Sequence, residues 1–293
     1  MMRKWMPVYT AAVLIFTSLG SVHAARSSSP PEEASIAAQP SRLEHTVARW
    51  TSELAKQPGF EAWKTAKQEI MPLGPGLHGW YVQLASDDKV VGYLVVQAKP
   101  DGGYKLGEYG TGGQPLYDEQ ALYRSMVQLE LIPSYSAADA RVERRYLSPL
   151  LAVWRVTLPN RAIYYFDAKS GEYLPIEDRQ WTQSAKRADK SGDYAADEHD
   201  KLARTLLNPS FDPYIRFPWL TKTPLQDMNE ALSLLEQRRK VWYSAEPYGD
   251  SARYVWPTIG AHVWGEVSYF AVDQQGVRMI PSEVLAATGQ FFD

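Results

Sequence analysis

Two short segments place an imidazole and an indole two residues apart. Gly76-Leu77-His78-Gly79-Trp80 and Gly260-Ala261-His262-Val263-Trp264 both read Gly-x-His-x-Trp, each behind a proline and at the start of a strand-like run. Side chains alternate along a strand, so His78 and Trp80 are expected on one face, and likewise His262 and Trp264. If the two strands meet, the pairs converge on a ligand-binding or acid/base site. If they do not, each is a hydrogen-bonded core histidine packed against a tryptophan, and that is the favoured reading. Glu108, Asp118, Glu119, Glu266 and Asp273 are the carboxylates a hydrolase would draw on, since paired acids can divide roles when their surroundings split their pKa values. Their spacing does not pair them.

Other chemistries lack their residues. No HExxH, CxxC or paired-histidine spacing offers a metal site, and no Gly-x-Ser-x-Gly elbow precedes a helix. Gly110-Thr111-Gly112-Gly113 lacks the Lys-Ser or Lys-Thr of a phosphate-binding loop and reads as a turn. Asp189, Ser191, Asp193 and Asp200 fall on some positions of a calcium loop, but Tyr194 stands where the sharp turn needs glycine. No metal and no cofactor is therefore expected. The net charge is -3 with acids and bases interspersed, which argues against a nucleic-acid partner, because neutralising phosphates takes a concentrated basic face. Arg141, Arg144 and Arg145 are the densest basic spot, and a strand with a solvated edge accounts for them.

The positioning elements follow from pattern. Arg3 and Lys4, an apolar run from Pro7 to Leu19 and the small-residue pattern Val22-His23-Ala24 read as a cleavable secretory signal, residues 1–24. The run is well short of the ~20 residues of a bilayer-spanning helix, so no stable membrane insertion is expected after cleavage. Residues 25–40, rich in Ser, Pro, Glu and Ala, read as a flexible linker. The 293-residue chain has no cysteine and must rely on burial alone; the roughly 250 residues after the linker suffice for real cores.

Leu43, Val47, Trp50 and Leu54 recur at helical spacing behind Ser41, and Phe60, Trp63, Ala66 and Ile70 suggest a second short helix. His78–Leu84, Val90–Ala98 and Tyr104–Tyr109 read as an antiparallel meander, and Asp118 as the cap of a helix bearing Leu122, Met126 and Leu129. Further strands are expected at 140–146, 151–157, 162–167 and 172–174, with Asp167 accepting from turn amides and Gly171 at positive φ. Residues 181–210 read as a charged linker with a short helix at 199–207. A C-terminal region, 211–293, opens a helix at Thr223-Pro224 and folds a hairpin across Asp273–Gly276.

Two patterns resemble known families. Gly92-Tyr93-Leu94-Val95-Val96, then Leu106-Gly107-Glu108-Tyr109-Gly110 and a glycine turn before a helix, resembles the propeptide of streptopain-type cysteine proteases and their free-standing inhibitor relatives. This chain has Gly107-Glu108-Tyr109-Gly110 where that family more often runs Gly-Tyr-Ser, and no catalytic cysteine domain follows. Trp154-Arg155-Val156 followed by Tyr164-Tyr165-Phe166-Asp167-Ala168-Lys169-Ser170-Gly171-Glu172-Tyr173-Leu174 is similar to PepSY modules. The resemblance covers about a third of the chain. It implies an α+β fold and a tendency to bind peptidases, without a mapped inhibitory residue.

The expected fold is thus α+β, with antiparallel sheets packed with helices: two propeptide- and PepSY-like modules within 41–180 and a small α+β part at 211–293. The expected function is a secreted, non-catalytic protein that binds a protein or peptide partner by its sheet edge, such as an extracellular peptidase that it restrains. A cell-wall or carbohydrate-binding module using Trp80 and Trp264 is the alternative, and a hydrolase using His78 and His262 with a carboxylate is third.

Overall fold

A computed structural model describes residues 41–74, 77–133, 139–188 and 194–293. The expected signal and linker, Gly76 of the first Gly-x-His-x-Trp segment, and Asp189, Ser191 and Asp193 lie outside the described residues.

Ser41 opens α1 (Arg42–Leu54) through a reciprocal box. Its hydroxyl accepts from the Glu44 N–H at 3.2 Å while the Glu44 carboxylate accepts from the Ser41 N–H, so two end amides of the helix find partners. Leu43, Val47, Trp50 and Leu54 form its buried stripe, as their period predicts. The next apolar series departs from expectation. Phe60 and Trp63 frame only a 3₁₀ turn, Glu61–Thr65, and the chain then extends as β1 (Lys67–Pro72). A three-residue apolar spacing fits a 3₁₀ turn as well as an α-helix.

The meander follows as β2 (Gly79–Ser86), β3 (Lys89–Ala98) and β4 (Tyr104–Thr111). Asp87 and Asp88 both take positive φ, 50° and 60°, as a two-residue turn matched to strand twist requires. The Asp118 carboxylate accepts from the Ala121 N–H at 2.9 Å and starts α2 (Glu119–Gln128). A second sheet is built from β5 (Arg141–Tyr146), β6 (Ala152–Thr157), β7 (Ile163–Asp167) and β8 (Tyr173–Leu174). In the β7–β8 turn, Asp167 Oδ1 accepts from the amides of Lys169 and Ser170, at 3.1 and 2.7 Å, and Gly171 sits at φ 69°. A Cβ on Gly171 would lie 2.5 Å from the backbone of Ala121, so this turn packs directly on α2.

The described residues of the segment read as a linker, 181–188 and 194–210, are instead largely built into the fold: most of α3 (Asp178–Ala188), then β9 (Ala196–Asp197) and β10 (Leu202–Leu207). The helix expected at 199–207 is therefore mostly strand. β10 lies antiparallel on β13 (Tyr254–Trp264), and this pairing settles a sequence whose polar residues left the period ambiguous. After α4 (Pro218–Thr221) comes α5 (Met228–Glu236), capped by Asp227 and not by Thr223, because the Leu225 N–H is already bonded to the Phe291 carbonyl and holds the chain extended. The remaining elements are β11 (Val241–Ala245), β12 (Pro247–Asp250), β14 (Val267–Asp273), β15 (Val277–Pro281), α6 (Ser282–Thr288) and β16 (Gly289–Phe292).

The fold is α+β. Eleven strands form one antiparallel sheet in the order β1-β2-β3-β4-β15-β14-β13-β11-β16, with β9 on β4 and β10 on β13; β5 to β8 form the four-stranded sheet. Because β4 pairs with β15, strands from the 41–180 and 211–293 regions share the large sheet. A register shift in β13 between Thr258 and Gly260 lets its first half pair with β11 and its second half with β10.

The large sheet has two dry faces. One packs on α1, Phe60 and Trp63; the other packs on α2 and the small sheet in one region and on α5 and α6 in another. Among the described residues no helix is long and apolar enough to cross a membrane.

Candidate functional site

The structure separates the four residues picked from sequence. His262 and Trp264 lie on β13 and are 2% and 1% exposed. The Trp264 indole N–H donates to the Tyr109 hydroxyl at 2.9 Å, and that hydroxyl is 2.8 Å from His262 Nδ1. Phe60 covers the imidazole, with ring centroids 5.5 Å apart. Burial alone pushes the His262 pKa down to about 4, so the ring is neutral at ordinary pH. No carboxylate contributes to that shift, and an acid/base pair at His262 lacks its acid.

His78 is exposed and lies just before β2, and its carbonyl accepts from the Ala98 N–H at 2.8 Å. Trp80 is half-buried and packs edge-on against Tyr104 at 5.6 Å. Both tryptophans border the α1-side core, but the histidines do not share a cleft. The second pair is a core histidine beside a packed tryptophan.

The acids have other work. Glu108, fully buried, holds Arg278, which is 1% exposed. Arg278 Nε and Nη2 donate to Glu108 Oε2 at 3.2 and 2.7 Å, Nη2 also reaches the Pro149 carbonyl at 2.7 Å, and Nη1 donates to Gln274. The hydroxyls of Tyr93 and Tyr146 donate to the two oxygens of Glu108 at 3.2 and 3.1 Å. Gln274 passes the network on to Asp167 at 3.0 Å. Burial disfavours the Arg278 cation, yet Glu108 beside it holds the guanidinium pKa above its ordinary value. Nearby Lys169 is pushed down to about 8 by burial and by Arg278.

Gly110 makes this network possible. A Cβ there would lie 2.5 Å from the Tyr93 ring, which crosses β4 at that point. The network satisfies itself and is closed to solvent, so it joins layers and leaves no group free to meet a substrate. Sequence reasoning flagged Glu108 but missed Arg278; the available signal was a lone arginine inside the apolar run Val277-Arg278-Met279-Ile280. Asp118 caps α2, Glu119 faces Arg144 at 3.6 Å, and Asp273 accepts from the Gly276 N–H.

What remains open is the edge of the large sheet. β1 pairs with β2 in the register Lys67↔Ala85 to Pro72↔Trp80, and no described strand pairs with its other side. The opposite terminal strand, β16, is covered by the 222–225 segment through the Leu225 bond to Phe291. β5, at the edge of the small sheet, is guarded by Arg141, Glu143, Arg144 and Arg145, and β8 is only two residues long.

Clefts flank β1 on both faces in step with its alternation. On the α1 side, Gln68 and Ile70 line a cleft of about 480 Å³ with Glu44, His45 and Ala48. On the other side, Glu69 and Met71 line one of about 410 Å³ with Gln83, Tyr117, Glu119 and Arg144. The Arg144 guanidinium lies 5.6 Å from the Tyr117 ring centre and 5.8 Å from that of Trp154, which fixes it at the cleft wall. An extended peptide added to β1 would bond to its backbone and send successive side chains into the two clefts in turn.

No family model, curated protein or solved structure matches this chain.

Proposed function

We propose that this is an exported, non-catalytic binding protein that captures an extended polypeptide along β1, and that its partner is a segment of an extracellular peptidase, which it restrains. The observation that carries the reading is an unpaired strand edge with clefts on both faces, one served by Gln68 and Ile70 and the other by Glu69 and Met71. Main-chain bonds to the edge would supply affinity, and the clefts would supply choice of side chain. In this reading the propeptide-like strands β2 to β4 and the PepSY-like strands β6 to β8 are two modules of one binding body, and the C-terminal strands extend the sheet of the first.

The test is to mix the purified protein with proteases from its own culture medium, then repeat with Ile70→Asp and Met71→Asp. Binding or inhibition by the native protein, weakened at least about tenfold by either substitution, supports the proposal. The peptidase version is rejected if no protease is bound or inhibited. If binding survives both substitutions, the edge is the wrong surface.

A second reading keeps one observation. Trp80 and Tyr104 form a half-exposed aromatic pair able to stack on a sugar ring, whereas Trp264 is buried and cannot. Cosedimentation with peptidoglycan that is lost in Trp80→Ala would favour this carbohydrate-binding alternative.

A further inference from the structure

We propose that the 211–222 segment is a docking surface for an anionic lipid bilayer. Its apolar tips stand out of the fold: Tyr214, Ile215, Phe217 and Leu220 are 58, 68, 49 and 69% exposed within seven consecutive residues. An apolar concentration of this kind marks an interaction surface on a folded protein. The tips cannot fold back onto their own core, because the base beneath them is fixed. The Trp242 indole N–H donates to the Pro213 carbonyl at 2.9 Å, Phe211 packs edge-on against Trp242 at 4.8 Å, and the Asp212 carboxylate accepts from the Tyr214 N–H. Trp219 sits half-buried between the Tyr214 and Phe217 rings.

Shape and charge choose the occupant. Tips this exposed suit a fluid surface that closes around them better than a preformed protein cleft. Cations lie beside the tips, as do the carboxylates of Asp212 and Glu172 near Tyr214. Arg216 lies between Ile215 and Phe217 in sequence, Lys222 ends the segment, and Lys240 lies 5.1 Å over the Phe211 ring. Asp293 engages Lys222 and Arg239, whereas Arg216 and Lys240 form no ion pair among the described residues and are free for phosphate. Aromatic and branched side chains beside Lys and Arg are the composition that settles at the headgroup boundary of anionic membranes. This surface shares no residue with the β1 edge and stands independently of the peptide-binding proposal.

The test is cosedimentation of the full chain with phosphatidylcholine vesicles, with and without phosphatidylglycerol. The expected result is binding to the anionic vesicles only, with a loss at high salt. Replacing both Ile215 and Leu220 with Ser should lower partitioning at least about tenfold. Arg216→Gln and Lys240→Gln should each lower it about fivefold. All four side chains are at the surface, so circular dichroism and melting should be unchanged. Absence of vesicle binding, equal binding to neutral vesicles, or an Ile215- and Leu220-dependent dimer that ignores vesicles would each overturn the proposal.

Discussion

Glu108 and Tyr109 are neighbours on β4, and they send polar groups into opposite dry faces of the same sheet. On one face Tyr109 links His262 and Trp264 in a network without formal charge. On the other, Glu108 clamps Arg278 in a full ion pair with two tyrosines and Gln274. The contrast shows two ways to keep polar atoms in a dry interior. In the neutral network the loss of a member leaves an unpaired dipole, while in the ionic one it leaves an unpaired buried charge, which costs more.

The neutral network also reports on shape. Tyr109 stands in line with Met279, Ala271 and Gly260 across β15, β14 and β13. In a flat sheet those three steps span about 14 Å, too far for a Tyr109 hydroxyl to meet His262, so the sheet is curled around the α1-side core.

Removing one charge from the ionic face should have the largest effect. Arg278→Leu strands Glu108 and is expected to cost about 3–5 kcal/mol in urea unfolding, while adding Glu108→Leu should restore most of it. A double variant no better than the single would show that the two faces do not differ in this way. Acid should next single out the neutral face. The unfolded His262 takes up a proton near 6.5 but the folded one only near 4, so its contribution is whole above pH 6.5 and declines as pH falls toward 4. The total is on the order of 3 kcal/mol. Stability of the native protein and of His262→Gln, followed from pH 7.5 to 4, should diverge by that amount.

Tyr109→Phe leaves an indole N–H and an imidazole nitrogen without a partner and should cost about 1–3 kcal/mol. The smallest effect belongs to neither face. Glu69→Gln, an exposed side chain on the open edge, should change stability by less than about 0.5 kcal/mol even where it weakens partner binding, and a larger loss would mean that β1 is not a free edge.

Local chemistry made much of the fold legible. The helix behind Ser41, the Asp118 cap, the Asp167 turn with Gly171 and the β2–β3–β4 meander each depend on residues a few positions apart. Sequence reading failed where a distant partner decides. Residues 202–207 carry mixed polarity and become a strand only because the second half of β13 needs a neighbour. Arg278 meets Glu108 from 170 positions away, and no periodicity announces such a pair. The twin Gly-x-His-x-Trp segments were half legible: the favoured reading of a core histidine beside a packed tryptophan holds for His262 and Trp264 and not for the exposed His78. They share letters, but one begins at the surface and the other runs through the core, and only tertiary pairing distinguishes them. Sequence suggested a sheet edge as a way to bind a partner but could not say which edge lies open; pairing across the whole sheet decides that.

The β4–β15 ladder also dictates an order of events during synthesis. One side of β4, between Tyr109 and Thr111, stays bare until residues 277–279 have emerged. Apart from its short contact with β9, the first half of the chain therefore waits as an incomplete template until the last strands arrive. Such distant pairing slows folding and lengthens the interval in which a nascent chain stays pliable and prone to clumping.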